Sequence, residues 1–153
     1  MSNQFFEQVR DALVAVVDER YADFVGTWHG SGLKIVFGDG ERAKEHYETQ
    51  VIQAMGARGR ERGAAPALEI GFHAEHPHAE RNEAVLATLN AIESKWRRRL
   101  GPQAVAGPFL GNDRWRRLSE TWDEFDLDDP EYAFEVADRL AIYIATLEPL
   151  LRK

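Results

Sequence analysis

Apolar residues recur at helical spacing through the N-terminal stretch. Phe5, Val9, Leu13, Val16 or Val17 and Phe24 fall on one side, with Arg10, Asp11 and Glu19 between them. This pattern predicts a helix over residues 3–24, capped by Ser2 or Asn3 and broken by Gly26. The period then shortens. Thr27-Trp28-His29 and Leu33-Lys34-Ile35-Val36-Phe37 read as two strands joined through Gly30-Ser31-Gly32, and Gly38-Asp39-Gly40 marks a turn. Residues 45–52 fit two periods. As a helix, Ala43, Tyr47, Val51 and Met55 share a face; as a strand, Tyr47, Thr49 and Val51 alternate with Glu48, Gln50 and Ile52. The strand is preferred, because Asp39-Gly40 signals a hairpin and the segment carries β-branched residues.

Residues 56–66 hold glycine, alanine and Arg58, Arg60 and Arg62 without a period, and read as an exposed loop. Leu68, Ile70 and Phe72 then alternate with Glu69, Gly71 and His73, a strand over residues 68–73 that ends in the turn Ala74-Glu75-His76-Pro77-His78. A helix is predicted from Pro77 to about Leu100 on Val85, Leu89, Ile92, Trp96 and Leu100, stopped by Gly101-Pro102. Residues 103–112 contain Gly107-Pro108 and Gly111-Asn112 and read as turns around Phe109 and Leu110. Residues 114–122 read as a strand or strand pair with Trp115 and Trp122 near its ends. Asp128-Asp129-Pro130-Glu131 is a helix start, and Ala133, Ala137, Leu140, Ile144, Leu147 and Leu151 line the last helix. The expected fold is one α+β domain over residues 1–153. It has an antiparallel sheet of about four to six strands packed against three helices, in the order α-β-β-β-β-α-β-β-α.

Composition narrows the function classes. The 153 residues are 44% hydrophobic, as in an ordinary globular domain. Cysteine is absent, which excludes a disulfide framework, a thiolate metal site and a thiol nucleophile. No apolar run has membrane-spanning length, and Met1-Ser2-Asn3-Gln4 does not open a signal peptide, so the expectation is a cytoplasmic protein without a membrane partner. The net charge of −7 works against indiscriminate binding to nucleic acid. That charge is uneven: arginines cluster at positions 58–62, 97–99 and 114–117, while nine acidic residues and no Lys or Arg lie between Glu120 and Asp138.

Candidate chemistry centres on the histidines, three of which lie within residues 73–78. Glu69 and His73 project from one face of a strand, His76 and His78 follow in the turn, and His46 with Glu48 falls on a neighbouring strand. Together they are a candidate ligand set for zinc or a similar divalent ion, the one cofactor considered. His73 beside Glu69 or Glu75 is also a candidate acid–base pair, without a partnered nucleophile. Ser31 lacks a nucleophile-elbow context, and the two glycine turns lack the Gly-Lys-Ser/Thr of a phosphate loop. Trp96 with Arg97, Arg98 and Arg99, and Trp115 with Arg114, Arg116 and Arg117, set guanidinium beside indole as in nucleic-acid binders, although Trp96 falls on the apolar stripe of its helix. Trp28, Tyr47 and Trp115 on an open sheet face would suit a protein partner or a second copy of the chain.

The order of elements resembles that of the small acidic chaperones of type III secretion, which are often dimeric. The likeness spans most of the chain as an order of elements, and no functional residue carries over. A looser likeness to nuclease-like α/β cores lacks their Glu-x-Lys, since Glu69-Ile70-Gly71 has glycine there. The primary expectation is therefore a small binding or adaptor protein without catalysis of its own. A metal-dependent hydrolase or nuclease built on the His/Glu cluster and a nucleic-acid binder built on the Arg/Trp clusters are the alternatives.

Overall fold

The computed structural model describes residues 2–53, 55–56, 59–60, 65–109 and 111–152. Helix α1 (Ser2–Val16) buries Phe5, Phe6, Val9 and Leu13, the predicted stripe. It stops well short of Phe24. The Asp18 carboxylate accepts from the Arg20 amide at 3.0 Å and starts a separate 3-10 turn, Glu19–Tyr21, because a local side-chain acceptor competes with helix continuation. Phe24 still reaches the core from beyond that turn.

Strands β1 (Val25–His29) and β2 (Gly32–Val36) form a hairpin whose last pair is His29 and Gly32. A 3-10 turn, Arg42–Lys44, leads into β3 (Glu45–Gln53), so the strand reading of this segment holds. At the start of the stretch read as a loop, β4 (Met55–Gly56) and β5 (Gly59–Arg60) pair as a small ribbon. Arg58 and Arg62 lie outside the described residues. Strand β6 (Pro66–Ala74) is the long central strand.

The single helix expected from Pro77 to Leu100 is two, α2 (Ala79–Ala91) and α3 (Glu93–Leu100), bringing the helices to four. The break at Ile92 has a local cause. The Leu89 carbonyl, which the next turn of an unbroken helix would use, accepts instead from the Ile92 amide at 3.2 Å and from the Trp96 indole at 2.8 Å. The turns expected at residues 103–112 are in fact strand β7 (Val105–Phe109). Its Gly107-Pro108 is tolerated because β7 is an edge strand, paired only with β8 among the described residues. Strand β8 (Asn112–Trp122) is continuous, and Leu110 lies outside the described residues. Helix α4 (Pro130–Leu151) starts as predicted: Asp129 caps it by accepting from the Glu131 amide at 2.9 Å, with Pro130 in the first turn. No helix among the described residues is long and apolar enough to cross a membrane.

The six main strands form one antiparallel sheet in the order β1-β2-β3-β6-β8-β7. Alternation then sorts the side chains. Leu33, Ile35, Tyr47, Leu68, Ile70, Phe72 and Leu118 form one face, buried with the stripes of α1, α3 and α4 in a single core. The register puts Lys34, His46, Glu48, Gln50, Glu69, His73, Arg117 and Ser119 on the opposite face. Tyr47, expected on an open surface, is on the core side instead. It is fully buried, and its hydroxyl donates to Glu148 of α4 at 2.9 Å. Parity alone explains this: it shares a face with its cross-strand partner Phe72.

Candidate metal centre

Two strands build the site. On β3, His46 and Glu48 are two residues apart and share the polar face. On β6, His73 lies directly opposite His46, and Glu75 follows just past the strand end. One ligand atom from each of His46, Glu48, His73 and Glu75 lies within 4.8 Å of all the others. His73 Nδ1 is 2.9 Å from Glu48 Oε1 and 3.1 Å from Glu75 Oε2. His46 Nε2 is 3.4 Å from the same two oxygens and makes no hydrogen bond with proper geometry.

The remaining ring nitrogens are committed elsewhere. His46 Nδ1 lies 3.1 Å from the Ala43 carbonyl, which can only accept, so this nitrogen carries the proton. His73 Nε2 lies 2.8 Å from Glu69 Oε2. Glu69 is fully buried and is itself fixed by Gln50 Nε2 at 2.9 Å and Ser119 Oγ at 2.7 Å. Each imidazole thus turns its other ring nitrogen toward the Glu48 and Glu75 carboxylates. A carbonyl or carboxylate behind each ring is how metal-bound histidines are held.

Glycine makes part of this geometry. Residues four apart on a strand are about 13 Å apart along it, so Glu69 and His73 meet only by leaning over Gly71. A Cβ at Gly71 would lie 2.5 Å from Ser119 Cα, and the residue has φ +154°, so only glycine fits.

The charges are strongly coupled. Burial alone would raise the carboxyl of Glu48, but His29, His46 and His73 outweigh it and hold Glu48 far below the usual carboxylate range. Glu75 follows the same logic with His46 and His73, and is held at about 2. Burial alone would depress both imidazoles. Glu48 and Glu75 instead raise His46, and Glu69, Glu48 and Glu75 raise His73 well above its ordinary value. The site therefore demands positive charge. Three buried or nearly buried carboxylates face two imidazoles and the Lys34 ammonium, and either two added protons or one divalent ion supplies the two further positive charges that leave the group neutral.

One flank is closed and one is open. The Phe109 ring stands edge-on to His73 at 4.6 Å, backed by Trp115 at 5.3 Å. On the other flank His29 and Lys34 are each about a third exposed. Lys34 Nζ is 3.6 Å from Glu75 Oε1.

Of the predicted ligands, the fold brings together His46, His73 and, as the buttress behind His73, Glu69. His76 lies elsewhere. Its Nε2 is 2.7 Å from Glu45 Oε2, and Arg152 at the end of α4 holds the other Glu45 oxygen at 2.9 Å. His78 is exposed at the start of α2 and makes no cap hydrogen bond. Glu48 and Glu75 complete the cluster. Glu48 has a sequence signal, its parity with His46, whereas Glu75 lies beyond the alternating pattern.

The arginines mostly serve the fold. Arg97 bonds Glu93 and the Gly101 and Ala104 carbonyls and lies 4.6 Å from the Trp96 ring centroid. Arg114 reaches the Pro77 carbonyl, Arg116 reaches Glu83, and Arg117 reaches Ser119 and the Pro108 carbonyl. Arg98 and Arg99 are exposed. Trp96 is fully buried, and Trp28 is 43% exposed on edge strand β1. No family model, curated protein or solved structure matches this chain at a significant level.

Proposed function

We propose that this chain is a metal-dependent hydrolase whose centre is one divalent transition-metal ion held by His46, Glu48, His73 and Glu75. The observation that carries this reading is the pair of buried imidazole nitrogens aimed at two carboxylates while the opposite ring nitrogens are already bonded to Ala43 and Glu69. Nitrogen and oxygen donors without sulfur suit zinc, iron(II) or manganese. Solvent reaches the His29 and Lys34 flank, where an ion held from one side would carry a water and lower its pKa for attack on an ester or phosphoester.

Elemental analysis of tag-free protein, reconstituted with zinc and desalted, tests the ion. About one equivalent per chain is expected. Less than about a tenth of an equivalent would refute the site. His46→Ala and His73→Ala are each expected to abolish stoichiometric binding. Turnover of nitrophenyl esters and phosphodiesters, lost with a chelator and restored by zinc, tests the hydrolytic part.

A second reading, an adaptor that binds a protein partner, is favoured by edge strand β1, which exposes Val25 at 59% and Trp28 at 43%. Sedimentation of the wild type against Trp28→Ser measures self-association through that edge. A monomer in both would remove the self-pairing form of this reading.

A further inference from the structure

We infer that His29 is a fifth ligand, the solvent-side closure through which the ion enters and leaves. This rests on the metal reading above. Three observations converge on it. His29 Nε2 lies 2.7 Å from Glu48 Oε2, closer than either cluster histidine approaches that carboxylate. The approach lacks hydrogen-bond geometry, and among the described residues the nitrogen is buried with no other partner, although the side chain as a whole is 34% exposed. The space for this ring is prepared. A Cβ on Gly32, its cross-strand partner, would lie 2.8 Å from His29 Cε1, so glycine there lets the imidazole fold across β2 toward Glu48.

The placement also separates His29 from the other donors. His46 and His73 sit on the two adjoining strands β3 and β6, each paired on both sides, and both rings are braced from behind. His29 ends edge strand β1, paired on one side only, beside the Gly30-Ser31 turn. Its Nε2 is outside the set whose atoms all lie within 4.8 Å of one another, so it reaches an ion only by a small inward swing along Glu48. An inner set of four donors with a fifth on a singly paired strand gives tight binding with a movable outer ligand. That ligand can leave to open a position for water.

Cobalt(II), whose visible bands report coordination number, separates the outcomes. Wild type and His29→Ala are titrated with cobalt, and release to excess EDTA is timed. Both are expected to bind one ion. The variant should show an altered visible spectrum, about 10- to 100-fold weaker binding and faster release. Circular dichroism should be unchanged, since the ring is partly exposed. A variant that matches the wild type in spectrum, affinity and release overturns the role of His29 and leaves the four-ligand site standing. A wild type that binds no cobalt overturns the metal reading itself, and His29 with it.

Discussion

Glu69 touches no solvent, yet it decides which nitrogen of His73 faces the cluster. Glu69→Gln keeps the shape and removes the charge. The wrong end of the amide then faces His73 in some rotamers, and zinc affinity is expected to fall about 10- to 100-fold in a competition titration. Glu69→Ala goes further, leaving His73, Gln50 and Ser119 facing a gap. Urea unfolding should show a loss of about 3–5 kcal/mol, the usual cost of breaking a buried charge pair. Gly71→Ala carries a backbone penalty instead, because the obstructing atom is Ser119 Cα and cannot swing aside. A loss of about 1–3 kcal/mol is expected in the same measurement, and a variant as stable as the wild type would mean that the close approach of β6 and β8 is not needed.

Helices and strands show how local signals are overridden. The Asp129-Pro130 start of α4 is purely local chemistry, and Asp129→Ala is expected to cost about 1 kcal/mol by thermal or urea unfolding. The α2–α3 break is different. The apolar spacing from Ala79 to Leu100 suits one helix, yet the backbone departs from helical geometry at Ile92, where the Trp96 indole bonds the Leu89 carbonyl. Strand β7 was hidden by its Gly107-Pro108, a pair that signals a turn until the strand is known to lie at the sheet edge. The polar alternation of β6 is legible in the sequence, whereas that of β3 competes there with a helical period. Sequence alone sets Glu69 and His73 on one side of β6 and puts His46 and Glu48 on a neighbouring strand, but it leaves Tyr47 expected on an open face rather than in the core. His76 and His78 follow a turn at Pro77, where strand parity carries no information, and the backbone sends one toward Glu45 and the other to solvent.

Over the whole molecule, the cluster links folding to pH. His46 and His73 are raised above 6.5 in the folded chain, so their contribution is fully present below pH 6.5 and is lost as pH rises through their folded values. Glu48 and Glu75 are depressed below 4.5, so theirs is present above pH 4.5 and is lost as pH falls toward the Glu75 value of about 2 and beyond. Both contributions coexist between pH 4.5 and 6.5, where metal-free protein has its greatest stability from this site. A divalent ion replaces the two imidazole protons. The rise in Tm on adding zinc should therefore grow from about pH 6 to about pH 8. A zinc-induced shift that is flat or shrinks over that range would contradict the competition between ion and protons.

The sequence by itself determined the periods: the apolar stripes of α1 and α4, the alternation of β6, and the capped start of α4. It also excluded thiolate ligands, and along β6 it set which residues share a side. These properties depend on neighbours a few positions away, so they survive without a fold. Register does not. That His46 lies opposite His73 and that His29 folds over Gly32 toward Glu48 are contacts between strands. The tertiary structure alone decided them, because a one-residue slip in pairing would leave each strand's own pattern intact while carrying its polar set to the core side.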